Sequence, residues 1–430
     1  MSADAGKESG AGAGAEVLDG LAELPGGREL LVLAAPREDV ALVGGAVRDL
    51  LLGRAPRELD VVLAMGVGEF ARELAAAIPV WASATEHERF GTALVQWEGG
   101  RVDVATRRAE SYPTPGALPE VRPGTLREDL ERRDFTVNAI AVELGGPRRG
   151  KLDSAAGALA DLEARRLRVL HERSFLDDPT RLLRLARYSA RLGFAVEEHT
   201  AELAAAAVAQ GALAAVSRAR IGAELRLALG EADALGSLEA IDELGVLGAL
   251  EPRLRLTPCL VRRALALLPA DGRPDLLLMA SLLLPLSMDP AEDPEPVMFE
   301  LLDSLEFTAP DRERVKRTAL VAPGLFKELA LAAKPSEMHE ALSAHTIEAI
   351  ALGGALGEGT ASVTAQAEIW FERLRHVTLQ IGGEDLIAAG IPAGPQIGAR
   401  LKHALARKLD GELEPRAEAE LAAALEQDGA

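Results

Sequence analysis

Short apolar runs alternate with polar ones through the first third of the chain, and helical spacing takes over after it. Ala41-Leu42-Val43, Asp60-Val61-Val62-Leu63, Thr92 to Trp97, Arg101 to Val104 and Ala139 to Leu144 are compact runs in which apolar residues predominate. Each predicts a strand. The stretch from Trp97 to Val102 reads as a hairpin turning at Gly99-Gly100. After Gly157 strand signals almost vanish, and Ala, Leu, Arg and Glu recur at helical spacing to the C-terminus. Pro and Gly clusters near residues 268–274, 285–296 and 322–324 punctuate those helices. No repeat of fixed period is visible. The pattern predicts a small α/β head followed by a long all-α body.

Composition narrows this. A chain of 430 residues exceeds one core and predicts about two to four domains. Apolar residues make up 48% and aromatics only 3%, so the cores are built from Leu, Ala and Val, which favours helices. The single cysteine, Cys259, excludes an internal disulfide and any cysteine-based metal site. Residues 1–16 are rich in Gly and Ala with mixed charges, which predicts a disordered tail, not a signal peptide. The longest apolar run, Leu276 to Met288, is interrupted by Ser281 and Pro285 and is too short to span a bilayer. A soluble, cytoplasmic protein is expected.

The net charge of −20 seems to argue against a nucleic-acid partner, but its distribution argues the other way. From Arg122 to Phe194 there are 15 Arg and Lys against 11 Asp and Glu, a net of +4. The remainder carries 32 against 56, a net of −24. A basic segment in an acidic chain is a candidate phosphate-binding surface, or a mixed-charge helical face with no partner.

The densest chemistry lies near residue 50. Gly44-Gly45 opens a short helix, the helix ends at Gly53, and a strand follows with Glu58 and Asp60 two residues apart. On a strand those two carboxylates share one face. Such a pair beside a glycine turn suits Mg²⁺ holding a nucleoside triphosphate, or is a solvated strand edge. Asp103 faces opposite to Val102 and Val104, so on a neighbouring strand it would converge with the other two acids. Three carboxylates can hold two Mg²⁺ ions.

Further along, Arg132 and Arg133 suit triphosphate oxygens through bidentate contacts. Asp134 and Asn138 would hold ribose hydroxyls or orient the arginines, unless the segment is simply a capped helix start. Pro179 fits the first turn of a helix that begins near Asp178. Asp178 and Arg181, three apart, would then share a helical face and could hydrogen-bond a base edge, or form an ordinary ion pair. Arg184, Arg187 and Arg191 continue the stripe toward RNA phosphates or water.

Taken in order, these segments resemble the class II tRNA nucleotidyltransferases, which include bacterial CCA-adding and A-adding enzymes and the poly(A) polymerases of the polymerase-β-like superfamily. Gly44 to Asp60 is similar to the family's metal and triphosphate motif, and Arg132-Arg133-Asp134 to its ribose and triphosphate motif. Asp153 to Arg168 resembles the neck hinge, Asp177 to Arg184 the amino-acid template for the incoming base, and Arg220 to Leu225 the supporting neck helix. Ile381 to Leu386, with Gly390-Ile391-Pro392, Gly394-Pro395 and Ile397-Gly398, resembles the C-terminal part. Residues 38–230 carry most of the resemblance, 380–415 some, and 231–380 match only as generic helices.

The resemblance implies an α+β fold, with a small N-terminal nucleotidyltransferase head on a mixed sheet and an all-α neck, body and tail. The implied division is a tail at 1–16, head 17–145, neck 146–230, body 231–322 and tail 323–430. It implies addition of CCA to tRNA 3′ ends from CTP and ATP, without a nucleic-acid template. Addition of A alone, or of poly(A), is the alternative, and an inactive RNA-binding relative a third. Glu58, Asp60 and Asp103 would be the catalytic metal ligands for Mg²⁺. Gly44, Gly45, Arg48, Arg132, Arg133, Asp134, Asn138, Asp178, Arg181 and Arg184 would bind the nucleotide. The tail would grip the tRNA elbow and the neck the acceptor stem. The number of nucleotides added would depend on a flexible loop at about residues 64–91.

Two departures stand out. Glu58 takes the place of the family's usual Asp, which carries the carboxylate roughly 1 Å outward at a metal that demands near-ideal octahedral geometry. Ala156-Gly157 replaces two glycines, which stiffens the hinge. None of the seven histidines precedes an aspartate, so no appended His-Asp phosphohydrolase domain is expected.

Overall fold

The computed structural model describes residues 5–288, 293–357 and 361–426. The chain divides into two compact units, residues 1–217 and 218–430. Among the described residues of the first unit, seven strands form one mixed sheet in the order β3-β4-β5-β2-β1-β8-β9. They are β1 (Ala41–Val43), β2 (Leu59–Leu63), β3 (Ala82–His87), β4 (Thr92–Trp97), β5 (Gly100–Thr106), β8 (Ile140–Glu143) and β9 (Leu152–Ser154). A separate ribbon pairs β6 (Arg108–Ser111) with β7 (Glu120–Pro123). The central strands β1 and β8 are buried along their whole length, as continuous apolar runs require. Within this sheet, among the described residues, only β2 and β5 pair in parallel; their register sets Asp60 opposite Asp103.

The hairpin between β4 and β5 turns at Glu98-Gly99, one residue earlier than expected. Trp97 pairs with Gly100, and Gly99 takes φ of +95°, as a two-residue turn demands. The strands β3, β6, β7 and β9 carried no clear signal. β7 is exposed along its length and β3 mostly polar, so neither shows apolar alternation. Residues 64–91 carry helix α4 (Val67–Ala77), which packs Phe70, Ala71 and Leu74 inward before β3 begins.

The expected disordered tail is corrected over residues 5–16, which lie in helix α1 (Ala5–Ala22). Val17 and Leu21 are fully buried. Gly14 is buried too, and a Cβ there would lie 1.8 Å from the carbonyl oxygen of Gly150. Glycines that read as flexibility in sequence permit close packing here. Helix α2 (Gly27–Ala34) follows.

In the second unit, the helix Pro274–Met288 is buried along most of its length and lies against the helix Ala309–Leu331, which also packs on the buried helix Ile347–Ala355. Pro285 and Pro323 were expected to break helices; both sit inside them. Burial of Ala319, Ala322, Leu325 and Leu329 on either side of Pro323 outweighs its cost of about 3 kcal/mol. The expected body–tail boundary at 322–323 therefore falls within one helix. The boundary between units, after Ser217, likewise falls inside the expected neck of 146–230. A smaller cluster gathers Ile381, Leu386, Ala404, Ala423 and Ala424. Among the described residues, no helix is long and apolar enough to cross a membrane.

Candidate active site

The site begins at a turn. β1 ends at Val43, and Gly44 (φ +73°) bonds its N–H to the Ile140 carbonyl at 2.9 Å before α3 (Gly45–Leu51) starts. A Cβ on Gly44 would lie 2.6 Å from an Arg133 guanidinium nitrogen and 3.7 Å from an Asp60 carboxylate oxygen. Glycine is required both by the backbone angle and by those neighbours. A Cβ on Gly45, the first residue of α3, would meet the Arg48 guanidinium at ordinary contact distance.

Asp60 lies on β2 and Asp103 beside it on β5, facing the same side. Glu58 precedes the first residue of β2, so it is not itself on the strand. Burial pushes the Asp60 carboxyl up to about 6; the Arg133 charge pulls down, while Glu58 and Asp103 add repulsion. Arg101 bridges the outer two acids. Its Nε donates to Asp103 at 3.0 Å, and a terminal nitrogen lies 2.5 Å from Asp103 and 3.4 Å from Glu58. Asp60 feels both other acids, and the Arg101 guanidinium joins Glu58 to Asp103. Among the described residues, no three or more His, Cys, Asp and Glu stand at metal-ligating spacing. The donor set is nonetheless carboxylate oxygen only, the chemistry a hard cation takes, and the repulsion at Asp60 is what such a cation relieves.

The two arginines are delivered by α5 (Leu126–Glu131). Thr125 caps it, accepting from the Glu128 N–H at 3.2 Å while Glu128 accepts from the Thr125 N–H at 2.8 Å. One turn on, Asp129, fully buried, accepts from Arg132 at 2.8 Å and Arg133 at 3.0 Å. Burial alone would raise the Asp129 carboxyl, but the two guanidinium charges win and lower it. Glu110 holds Arg132 from the other side at 2.9 Å. The Nε of Arg133 is buried without a hydrogen-bond partner. Sequence reading missed Asp129, although its spacing of three and four residues from the arginines was the available signal.

Behind these lies a buried network. Asp134 accepts from the Phe135 N–H at 2.8 Å, Asn138 Nδ2 at 2.9 Å and Arg184 at 2.6 Å. Asn138 in turn accepts from Arg48, which also pairs with Asp49 at 2.7 Å. Burial would raise the Asp134 carboxyl, but Arg184 and the bonds from Asn138 and Arg184 hold it at about 2. Arg48 is 1% exposed, so it is a support of this network and not an open triphosphate contact. Of the two roles open to Asp134 and Asn138, the geometry favours orienting arginines. The guanidinium carbons of Arg48, Arg184, Arg187 and Arg191 lie 5.1–6.0 Å from the Tyr188 ring centre. Arg187 is buried and Arg191 lies 3.6 Å from Asp49, so the stripe turns inward and does not line a water-facing surface.

The base-reading pair is also corrected. Helix α8 (Arg181–Leu192) starts at Arg181, and Asp178 ends the preceding helical turn, so the two do not share one helix face. Pro179 and Thr180 form the intervening turn, and Asp178 accepts from the Thr180 hydroxyl at 2.6 Å. Arg181 is 4% exposed and donates to Ser174 at 2.7 Å and to the Arg132 carbonyl at 2.9 Å. Arg132 and Arg181 nevertheless line one cavity of about 340 Å³ with Glu110, Tyr112, His171 and Asp177. Burial pushes the Tyr112 phenol up to about 12, and burial with the Arg181 charge lowers His171. Neither residue was singled out from sequence.

A sheet that sets paired carboxylates beside a glycine turn and an arginine pair is an arrangement suited to phosphoryl transfer. Residues 40–168 match the poly A polymerase head domain. The A-adding tRNA nucleotidyltransferase of Geobacter sulfurreducens is 41% identical over 51% of this chain and 25% of its own length. The CC-adding tRNA nucleotidyltransferase of Deinococcus radiodurans is 42% identical over 53% and 59%. The Thermotoga maritima CCA-adding enzyme, solved in complex with tRNA, superposes with a TM-score of 0.76 at 27% identity, covering 96% of this chain and 97% of that one. The head is therefore similar to that of tRNA nucleotidyltransferases and poly(A) polymerases. The chain spans between a quarter and three fifths of the length of those two curated relatives.

Proposed function

We propose that the protein adds C and A residues to the 3′ ends of tRNA, from CTP and ATP, by direct nucleotidyl transfer. The observation that carries this reading is the match over nearly the whole chain to a CCA-adding enzyme, together with the adjacent Asp60 and Asp103 beside Gly44 and Arg133. The RNA 3′-hydroxyl oxygen attacks the α-phosphorus, the hydroxyl proton is lost, and the bond to the pyrophosphate oxygen breaks. Glu58, Asp60 and Asp103 would hold Mg²⁺, which when bound polarises the phosphoryl oxygens. Arg132 and Arg133, fixed by Asp129, take the triphosphate, with Gly44 leaving room for its close approach. Arg181, in the cavity beside Arg132, would read the base edge, together with Asp178 from the turn that precedes its helix. Acceptor stem and elbow would lie along the neck and the C-terminal helices, in the cytoplasm.

The boundaries proposed for these roles are head 17–145 and neck 146–217. A second reading, addition of A or of CC alone, is favoured by the names of the two curated relatives. Incorporation of labelled CTP and ATP, offered separately, discriminates these. The substrates are tRNA transcripts lacking all of CCA, transcripts lacking only the final A, and unrelated RNA. The CCA reading requires CMP on the first and AMP on the second. AMP alone, CMP alone, or equal use of unrelated RNA each assigns one of the alternatives.

A further inference from the structure

Arg101 stands two residues before Asp103 on β5 and therefore projects from the same face of the sheet as the acids. Its Nε donates to Asp103 at 3.0 Å, and a terminal nitrogen reaches Glu58 at 3.4 Å. Glu58 lies beside β2 and Asp103 on β5, so one guanidinium ties together the edges of two adjacent strands at the point where the carboxylates meet. Arg101 and Glu58 are 43% and 50% exposed at the side chain, so the guanidinium can swing into water without leaving a buried charge behind. An arginine cannot shed its proton, so its charge stays at the acids unless the side chain itself moves.

We propose that Arg101 is a built-in counter-cation of the acid cluster, a positioning residue that occupies the space between Glu58 and Asp103 and must be displaced when a divalent cation binds there. The inference rests on the reading of Glu58, Asp60 and Asp103 as the metal ligands. It gives the chain a raised threshold for metal. The guanidinium competes for the same oxygens, and an exposed ion pair of this kind contributes about 1 kcal/mol or less, a factor of up to about five in affinity.

The test is Mn²⁺ binding to the full-length protein without nucleotide or RNA, followed by electron paramagnetic resonance of the free ion. Arg101→Gln should bind Mn²⁺ about three- to fivefold more tightly than the unaltered protein. Arg101→Lys keeps a cation on the same strand position and should stay within about twofold of it. Asp60→Asn should lose most of the binding. Should Asp60→Asn bind Mn²⁺ as the unaltered protein does, the metal-ligand reading itself fails. Should Asp60→Asn lose binding while Arg101→Gln binds equally or more weakly than the unaltered protein, the ligand reading stands and the counter-cation role is wrong. Tighter binding by Arg101→Lys, equal to that of Arg101→Gln, would also overturn it, since retained charge would then not matter.

Discussion

Asp134 collects donors from its own backbone neighbour, from Asn138 and from Arg184 while lying almost wholly out of water. Its carboxyl is held at about 2, against an ordinary value of 3.8. A carboxylate with a depressed folded-state pKa stabilises the protein above its unfolded value, and that contribution disappears as pH falls through the folded one. Between pH 4 and pH 2 the first unit should therefore lose on the order of 2 kcal/mol through this group alone. Asp134→Asn should be less stable at neutral pH by about that amount and show a flatter stability profile across the same window, measured by urea unfolding at stepped pH. An unchanged profile would mean that Arg184 and Asn138 do not hold the charge.

Arg181 belongs to the same scale. If it reads the base edge, Arg181→Ala should relax the preference for CTP and ATP over UTP and GTP by about tenfold, while tRNA affinity moves less than about threefold. Competition assays with mixed nucleotides measure the first and filter binding the second. Full retention of base preference would reassign Arg181 to its visible bonds, with Ser174 and the Arg132 carbonyl.

At the scale of elements, the strands read from apolar runs match the sheet: β1, β2 and β8 are buried almost throughout and show it in composition, while β4 and β5 show it by alternating apolar and polar positions. The edge strand β3 and the ribbon of β6 and β7 were illegible for the converse reason: their residues are polar and exposed, and pairing alone makes them strands. Proline and glycine misled wherever packing overrode them, as at Pro285 and Pro323 within helices and at Gly14 in α1. The last is open to test. Gly14→Val would push a side chain into the Gly150 carbonyl, so it should cost about 1–3 kcal/mol in thermal or chemical unfolding. A variant as stable as the original would show that α1 does not pack there.

The candidate site divides the same way. Glu58, Asp60, Asp103 and the arginine pair were singled out because their residue types carry chemistry at short spacing. Asp129 and Arg101 also lay at short spacing but were passed over, and Tyr112 and His171 meet the site only through long-range folding. Arg48 was read as a nucleotide ligand and Arg187 as facing RNA or water, because sequence shows charge and not burial.

For the whole molecule, an acidic chain carries a basic segment from Arg122 to Phe194, and much of that charge is spent internally: Arg132 and Arg133 on Asp129, Arg168 on Asp161, Arg184 on Asp134. Under the proposed function, the surface available to RNA is therefore smaller than the count of arginines suggests, and binding should rest on shape and backbone contacts as much as on net charge. The central claim is that the head performs phosphoryl transfer at its paired acids while tRNA is gripped elsewhere. Its most direct test is Asp60→Asn in the intact chain, with nucleotide incorporation and tRNA affinity measured on the same preparation. Incorporation of both CMP and AMP should fall more than about 100-fold, as expected when charge stabilisation of the transition state is removed, with the dissociation constant for tRNA within about twofold of the original. Retained incorporation, or loss of incorporation and tRNA binding together in a protein that still folds, would contradict it.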